Sequence, residues 1–303
     1  RLSRTVNMLR AETYLYKEFS SIQNLEILGE EFIRQCYRDM PPATFRTTIM
    51  CRRVEHSEDS FYNAKTDRNL FTAVDKNYID SLGWDMNKLR HVDCRTDADI
   101  KPTEPLWVAM DANANINWAV IGQPGADMKL RILKSFYVKY ERRLPELVDD
   151  ICLYYGPLKH KEVVFAFDST FVGNNYGVSK ADFHTVVTQR FQDHGWIVRE
   201  VYIGQPWQHP VKQQLINGMF LGQRTYRILI NEENNPDLLN SIDSAMTVNG
   251  TNQKDKSGEK KPETEEDPLE GRTYGSDAFD TLCIAVEAGN APFSGGGGGG
   301  GIA

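Results

Sequence analysis

The chain has 303 residues, of which 40% are hydrophobic and 25% charged, as is typical of folded globular proteins. Its formal net charge of −7 argues against a highly basic nucleic-acid coat protein, but it is compatible with an enzyme that grips phosphates through metal ions and local patches. No apolar run approaches the roughly 18 residues of a membrane span, so we expect no membrane partner. The five scattered cysteines lack a CxxC pair, which argues against a zinc site or a disulfide framework and favours a reducing cytosol.

The first third of the chain carries helical patterning but no recognisable chemistry. Apolar residues recur at three- and four-residue steps from the start to about residue 50, and Pro41 and Pro42 interrupt the pattern. Residues 43–95 are mixed in character, and residues 96–105 have the polar, Pro-containing composition of a linker. We therefore assign residues 1–103 to an N-terminal helical or mixed extension and linker.

Three strands and a helix are predicted next. The apolar runs at 106–111, 118–123 and 130–140 are joined by short turns, which favours an antiparallel meander. A helix should begin at Pro145, a favourable first position, and end at Gly156.

The second half of the chain alternates strands and helices. Residues 163–167 are continuously apolar, as in a strand covered on both faces, and helices are expected at 179–195 and 210–221. Residues 249–271 are polar and punctuated by Pro and Gly, which predicts a long mobile loop. A compact amphipathic helix follows this loop, and we expect the glycine-rich residues 291–303 to form a flexible tail.

Four aspartates stand at positions that suggest chemistry. Asp111 interrupts the first strand of the meander, Asp168 ends the strand at 163–167, and Asp277 and Asp280 lie three apart on one face of the last helix. Each alone is also compatible with a turn, a cap or a charge favoured at a helix N-terminus. If the strands are parallel neighbours under that helix, the carboxylates repel one another. Two Mg²⁺ or Mn²⁺ ions would relieve this conflict and support phosphodiester hydrolysis, so we predict that all four aspartates are catalytic metal ligands.

Two further features are weaker candidates. Lysines of the predicted loop, among them Lys254 and Lys256, could contact phosphates, although such runs usually form a solvated surface. Residues 207–214 could touch a substrate, but a turn between a strand and a helix explains them equally well.

Three segments carry a family resemblance: LWVAMDANANINWAVIGQ, VVFAFDST and RTYGSDAFDTLCIAVEA. Together they resemble the RNase H-like nuclease superfamily and, within it, the C-terminal nuclease domain of tailed-phage large terminase subunits. The last segment is similar to the family signature (H/D)xxDALRYA, with Asp277 and Asp280 at its acidic positions. The resemblance implies an α/β fold over residues 104–290, with an RNase H-like mixed five-stranded sheet flanked by helices.

The same resemblance implies a function and partners. The chain would be a two-metal-ion endonuclease that cleaves double-stranded DNA with low sequence specificity during phage DNA packaging. Its partners would be the phage portal, the small terminase subunit and a packaging ATPase domain upstream of Arg1, because no GxxxxGK[ST] phosphate loop occurs in this chain. Its location would be the cytoplasm of the infected bacterial host. The alternatives are a junction resolvase, an RNA–DNA hybrid nuclease, and a non-catalytic module that docks on a portal or on DNA.

Overall fold

The computed structural model describes residues 25–39, 59–83, 92–173, 181–248, 251–264 and 267–288. The expectations for residues 1–24 and for the tail at 291–303 lie outside the described residues. Within the described ranges, no helix is both long enough and apolar enough to cross a membrane.

One mixed sheet organises the described chain. Its order is β1-β7-β4-β3-β2-β5-β6. The predicted meander is confirmed, because β3 pairs antiparallel with both β2 and β4, whereas β5 and β6 continue parallel on the other side of β2. The strands are β1 (Leu70–Phe71), β2 (Leu106–Ala112), β3 (Ile116–Pro124), β4 (Lys129–Lys139), β5 (Glu162–Phe167), β6 (Ile197–Tyr202) and β7 (Arg227–Asn231).

Helices cover both faces of this sheet. Against one face pack α4 and α5, and against the other pack α6, α7 and α8, which enclose the larger apolar core. In chain order the helices are α1 (Leu25–Leu28), α2 (Glu30–Asp39), α3 (Lys76–Leu82), α4 (Leu144–Tyr154), α5 (Phe183–Asp193), α6 (His209–Phe220), α7 (Pro236–Ser244) and α8 (Tyr274–Ala288).

The predicted α/β class with a mixed sheet flanked by helices is confirmed, with two strands more than the predicted five. β7 pairs parallel with residues 129–132 of β4, and β1 pairs parallel with β7. β1 comes from the region assigned to the N-terminal extension, and Phe61 and Tyr62 of that region are fully buried in the core beside α8. Residues 59–71 therefore belong to the sheet and its core, because they cover apolar surface that would otherwise face water.

The helix α8 runs through the centre of the larger core. Every residue from Tyr274 to Val286 is buried, as expected of a helix that has neighbours on all sides. It packs on β2, β3 and β5 and contacts α6 and α7. Polar side chains on α8 are therefore held rigidly, and they must find partners inside the protein.

Candidate functional site

Two neighbouring parallel strands carry Asp111 and Asp168 to the same face of the sheet. β2 and β5 are in register up to the pair Ala109–Ala166, and each aspartate lies two residues farther along extended backbone. Because side chains alternate between faces, both aspartates lie on the side of Ala109 and Ala166, against which α8 packs.

The start of α8 lies directly over the strand next to Asp111. Trp118 is the cross-strand partner of Asp111, and a Cβ added at Gly275 would meet three ring atoms of Trp118 at 3.2 Å. The missing side chain of Gly275 thus permits a close approach of helix to sheet. The same helix carries Asp277, whose negative charge raises the pKa of Asp111.

Asp277 is a buried carboxylate held by two lysines. Nζ of Lys254 lies 2.9 Å from Oδ1, and Nζ of Lys256 donates to Oδ2. Burial opposes ionisation, but the charges of Lys254 and Lys256, helped by Lys212, outweigh it and hold the pKa of Asp277 well below its usual value. Asp277 is therefore a fixed anion at neutral pH.

Asp280 lies one turn farther into α8 and has no solvent exposure. Its Oδ1 accepts a hydrogen bond from the hydroxyl of Tyr62 at 2.6 Å, and its Oδ2 accepts one from Nζ of Lys254 at 2.7 Å. Both oxygens thus have internal partners. In this arrangement Asp280 holds Lys254 in place, and its role as a metal ligand stays a prediction.

The ammonium of Lys254 is fully buried between these carboxylates, although its segment was expected to be a mobile, solvated loop. In addition to Asp277 and Asp280, it donates to the hydroxyl of Tyr62 at 2.8 Å and to that of Ser276 at 3.3 Å. Burial lowers the pKa of Lys254, but the two carboxylates more than offset that effect and raise it. Lys254 is thus a permanent internal cation, and its burial ties residues 251–264 to α8.

Within the residues that the structure describes, Asp111 forms no ion pair with a lysine or an arginine. Its Oδ2 accepts a hydrogen bond from Nδ2 of Asn113 at 2.5 Å. Burial raises the pKa of Asp111 to about 7, the negative charge of Asp277 adds to the increase, and Lys256 offsets only part of it. A carboxyl group in this condition is suited to exchange a proton or to accept a cation.

Asp168 is engaged locally. Its Oδ1 accepts hydrogen bonds from the backbone N of Thr170 at 2.9 Å and from the hydroxyl of the same residue at 2.6 Å. It shares a sheet face with Asp111, but within the described chain no hydrogen bond or ion pair joins it to the other three aspartates.

Asp111 and Asp277 carry the oxygen donors of this sheet face that could take part in holding a divalent cation. Carboxylate oxygens are what Mg²⁺ and Mn²⁺ prefer, and the Lys256 side chain, 40% exposed, can leave Asp277 without disturbing the core. Over the described ranges, however, no group of three or more His, Cys, Asp or Glu residues is arranged to hold a metal. The predicted centre of four aspartates and two ions stays a prediction, and lysines bind two of its members, Asp277 and Asp280.

Tyr62 was not among the predicted site residues, and Lys254 was predicted to lie on a solvated loop. Tyr62 and Asp280 are 218 positions apart, so no local pattern connects them. For Lys254 the sequence carries one signal. Lys254 and Lys256 flank Asp255, and alternate residues of an extended segment lie on the same side, so the two lysines can reach the same neighbour.

No protein-family model and no curated protein matches the chain. Among solved structures, it is similar to Thermus thermophilus RuvC in complex with a Holliday junction substrate, at 12% identity over 61% of this chain and 94% of that chain, with a TM-score of 0.29. It is also similar to a second Thermus thermophilus RuvC structure, at 17% identity over 37% of this chain and 69% of that chain, with a TM-score of 0.23. The yeast mitochondrial Holliday junction resolvase Ydc2 is similar at 10% identity over 62% of this chain and 85% of that chain, with a TM-score of 0.29.

Proposed function

We propose that this protein is a metal-dependent nuclease that hydrolyses phosphodiester bonds in DNA. The observation that carries the proposal is that Asp111 and Asp168 lie on the face of the sheet against which α8, the helix that carries Asp277, is packed. Asp277 is a fixed anion, whereas Asp111 has a pKa of about 7. Such a pair suits a divalent cation better than it suits a purely structural role.

In the proposed reaction, the acids and the lysines of the site would have different roles. Asp111 and Asp277 would hold the cation, and Lys254 would keep Asp277 ionised and in place. Asp111 would lose its proton to solvent, because a facing positive charge favours the ionised carboxylate. Lys256, which also pairs with Glu259 at 3.6 Å, could contact a phosphate oxygen once it is released from Asp277. A bound Mg²⁺ or Mn²⁺ would supply activation of a water and stabilisation of the leaving oxygen.

The finer proposal is cleavage of double-stranded DNA with low sequence specificity, as the nuclease part of a phage terminase. The three sequence segments that contain Asp111, Asp168 and the pair Asp277 and Asp280 support it. In that setting the portal, the small terminase subunit and an upstream packaging ATPase would be its partners, in the cytoplasm of an infected bacterium. A junction resolvase and an RNA–DNA hybrid nuclease are the alternatives, and the choice of substrate separates them.

The test is cleavage by the folded protein, in Mn²⁺ or Mg²⁺, of linear duplex, four-way junction and RNA–DNA hybrid substrates of equal length. We expect cleavage of the duplex, and we expect Asp111→Asn and Asp277→Asn each to lower its rate at least 100-fold, on the order of the loss of an essential catalytic group. Asp193→Asn, on α5 behind the opposite face of the sheet, is the matched control and should keep the wild-type rate.

The remaining outcomes decide against one part of the proposal or all of it. A clear preference for the junction or the hybrid would replace the terminase reading with the corresponding alternative. Full activity of the Asp111 and Asp277 variants would show that the site is wrongly assigned. Absence of cleavage on every substrate would favour the non-catalytic docking module.

A further inference from the structure

A groove of about 650 Å³ runs along α6, next to the candidate active site. One face of α6 lines it, on which Gln214, Asn217 and Gly218 follow one another at helical spacing. The lining extends from Pro210 to Leu221, which at about 1.5 Å per residue corresponds to roughly 16 Å.

Two hydrogen-bonded anchors connect this groove to the acidic site. Asn217 accepts from the backbone N of Ala64 at 3.0 Å and donates to the backbone O of Phe61 at 2.9 Å. It thereby fixes the segment 61–64. This segment places Tyr62 at the acidic site and Asn63 at the groove.

The second anchor is His209, at the start of α6. Its Nδ1 accepts from the backbone N of Lys254 at 2.9 Å. This bond holds the segment that places Asn252 on the groove and Lys254 on Asp277 and Asp280. One end of the groove therefore lies beside the residues that surround the candidate cleavage site.

The chemistry of the lining is that of a polyanion site. No Asp or Glu occurs among the described residues that line the groove, although the whole chain has a net charge of −7. Exposed amides of Asn63, Gln214 and Asn252 offer both donors and acceptors.

Arg224 adds a cation to this lining. A Cβ added at Gly218 would lie 3.0 Å from its Nε, so the guanidinium extends across the bare backbone of α6. Arg224 is exposed, and it forms no ion pair with any residue in the part of the chain that the structure describes.

We propose that this groove binds a strand of DNA next to the cleavage site, with Arg224 contacting a phosphate and the amides contacting phosphates or base edges. An unpaired guanidinium and neutral amides are the groups that proteins use for phosphates and bases. The length of roughly 16 Å matches about five phosphates at 3.4 Å each along one strand. The assignment rests on the proposed function and adds to it the surface that holds the substrate.

The test is fluorescence anisotropy of fluorescein-labelled 30-nucleotide duplex and single-stranded DNA, titrated with the full chain in EDTA at several salt concentrations. Arg224→Ala should weaken binding about three- to tenfold and lower the slope of log K against log salt by about 0.9 for duplex or about 0.7 for a single strand. Gly218→Ala should weaken binding in the same direction, because the added methyl displaces Arg224 while alanine is the better helix former. Arg199→Ala, on the exposed β6 at the far edge of the sheet, should bind DNA as the wild type does.

Unchanged affinity and salt slope for Arg224→Ala and Gly218→Ala would overturn the groove assignment. A loss as large for Arg199→Ala would overturn it as well, since binding would then reflect overall charge. Cleavage measured in parallel keeps the two proposals apart. If the wild type cuts DNA while the groove variants bind normally, the proposed nuclease activity is supported and the groove assignment is wrong. If the wild type cuts no substrate while Arg224→Ala still weakens binding, the groove assignment is supported and the proposed nuclease activity is wrong.

Discussion

Lys254 and Asp280 form an ion pair of 2.7 Å from Nζ to Oδ2, and neither side chain has any solvent exposure. The pair joins the segment after α7 to the centre of α8. Because Lys254 also bonds Asp277, the charge conflict among the α8 carboxylates is resolved within the protein, before any metal ion arrives.

Lys254→Met is expected to destabilise the fold by about 3–5 kcal/mol, because removing one partner leaves buried charge uncompensated. Urea denaturation followed by circular dichroism measures the change. The matched control is Lys129→Met, whose ion pair with Asp127 is exposed and should contribute less than about 1 kcal/mol.

A combined variant distinguishes lost charge balance from lost packing. Adding Asp277→Asn and Asp280→Asn to Lys254→Met removes the uncompensated charges and should restore part of the stability. If the triple variant were no more stable than Lys254→Met, the ionic explanation would be wrong.

Lys256→Met is expected to strengthen binding of Mn²⁺, because it frees an oxygen of Asp277 from a partly exposed lysine. Loss of such a pair corresponds to roughly 1 kcal/mol, or about fivefold in affinity. Isothermal titration calorimetry with Mn²⁺ alone gives the dissociation constant without any need for activity. Lys260→Met changes an exposed lysine of the same segment and should leave the constant unaltered, whereas equal or weaker binding by Lys256→Met would contradict the prediction.

Gly275→Ala is expected to lower the stability by about 1–3 kcal/mol, as overpacking against a rigid neighbour does. The added methyl would meet the Trp118 ring at 3.2 Å, and alanine's better helix propensity, worth up to about 1 kcal/mol, offsets only part of that strain. Thermal unfolding measures the effect. Gly258→Ala, where a Cβ would meet nothing within 4 Å, should unfold within about 1 °C of the wild type, since surface changes away from special features have small effects.

Asp99 gives the stability a pH dependence. Burial raises its pKa to about 7, the charge of Asp97 adds to the increase, and Asn231 and Arg131 offset only part. The folded state therefore holds a proton that the unfolded state releases near pH 4. The free energy of unfolding should fall as the pH rises from about 4 to about 7, because the folded state binds more protons in that window.

Asp99→Asn should remove the part of this dependence that comes from Asp99 and stabilise the protein at pH 8 by up to a few kcal/mol, since one pKa unit corresponds to about 1.4 kcal/mol. Denaturation curves at pH 5 and pH 8 test it. Asp127→Asn is the control, because the hydrogen bond and charge of Arg131 lower the pKa of Asp127 and its effect should be the same at both pH values. A gain in stability of Asp99→Asn that did not grow with pH would rule out this explanation.

The sequence by itself determined the central strands and the positions of the acids. The runs that became β2, β3, β4 and β5 follow local periodicity, which depends only on neighbouring residues. Asp111 and Asp168 share a face because side-chain alternation and parallel register follow from backbone geometry. These are short-range rules, so they can be read from the chain.

Only the tertiary structure decided which groups neutralise those acids. The composition around Lys254 predicts solvent exposure, yet its ammonium bonds carboxylates 23 and 26 positions away and a tyrosine hydroxyl 192 positions away. A buried charge is stable only where distant segments bring enough partners to one point. That requirement concerns three-dimensional proximity, which neither the composition nor the periodicity of a segment encodes.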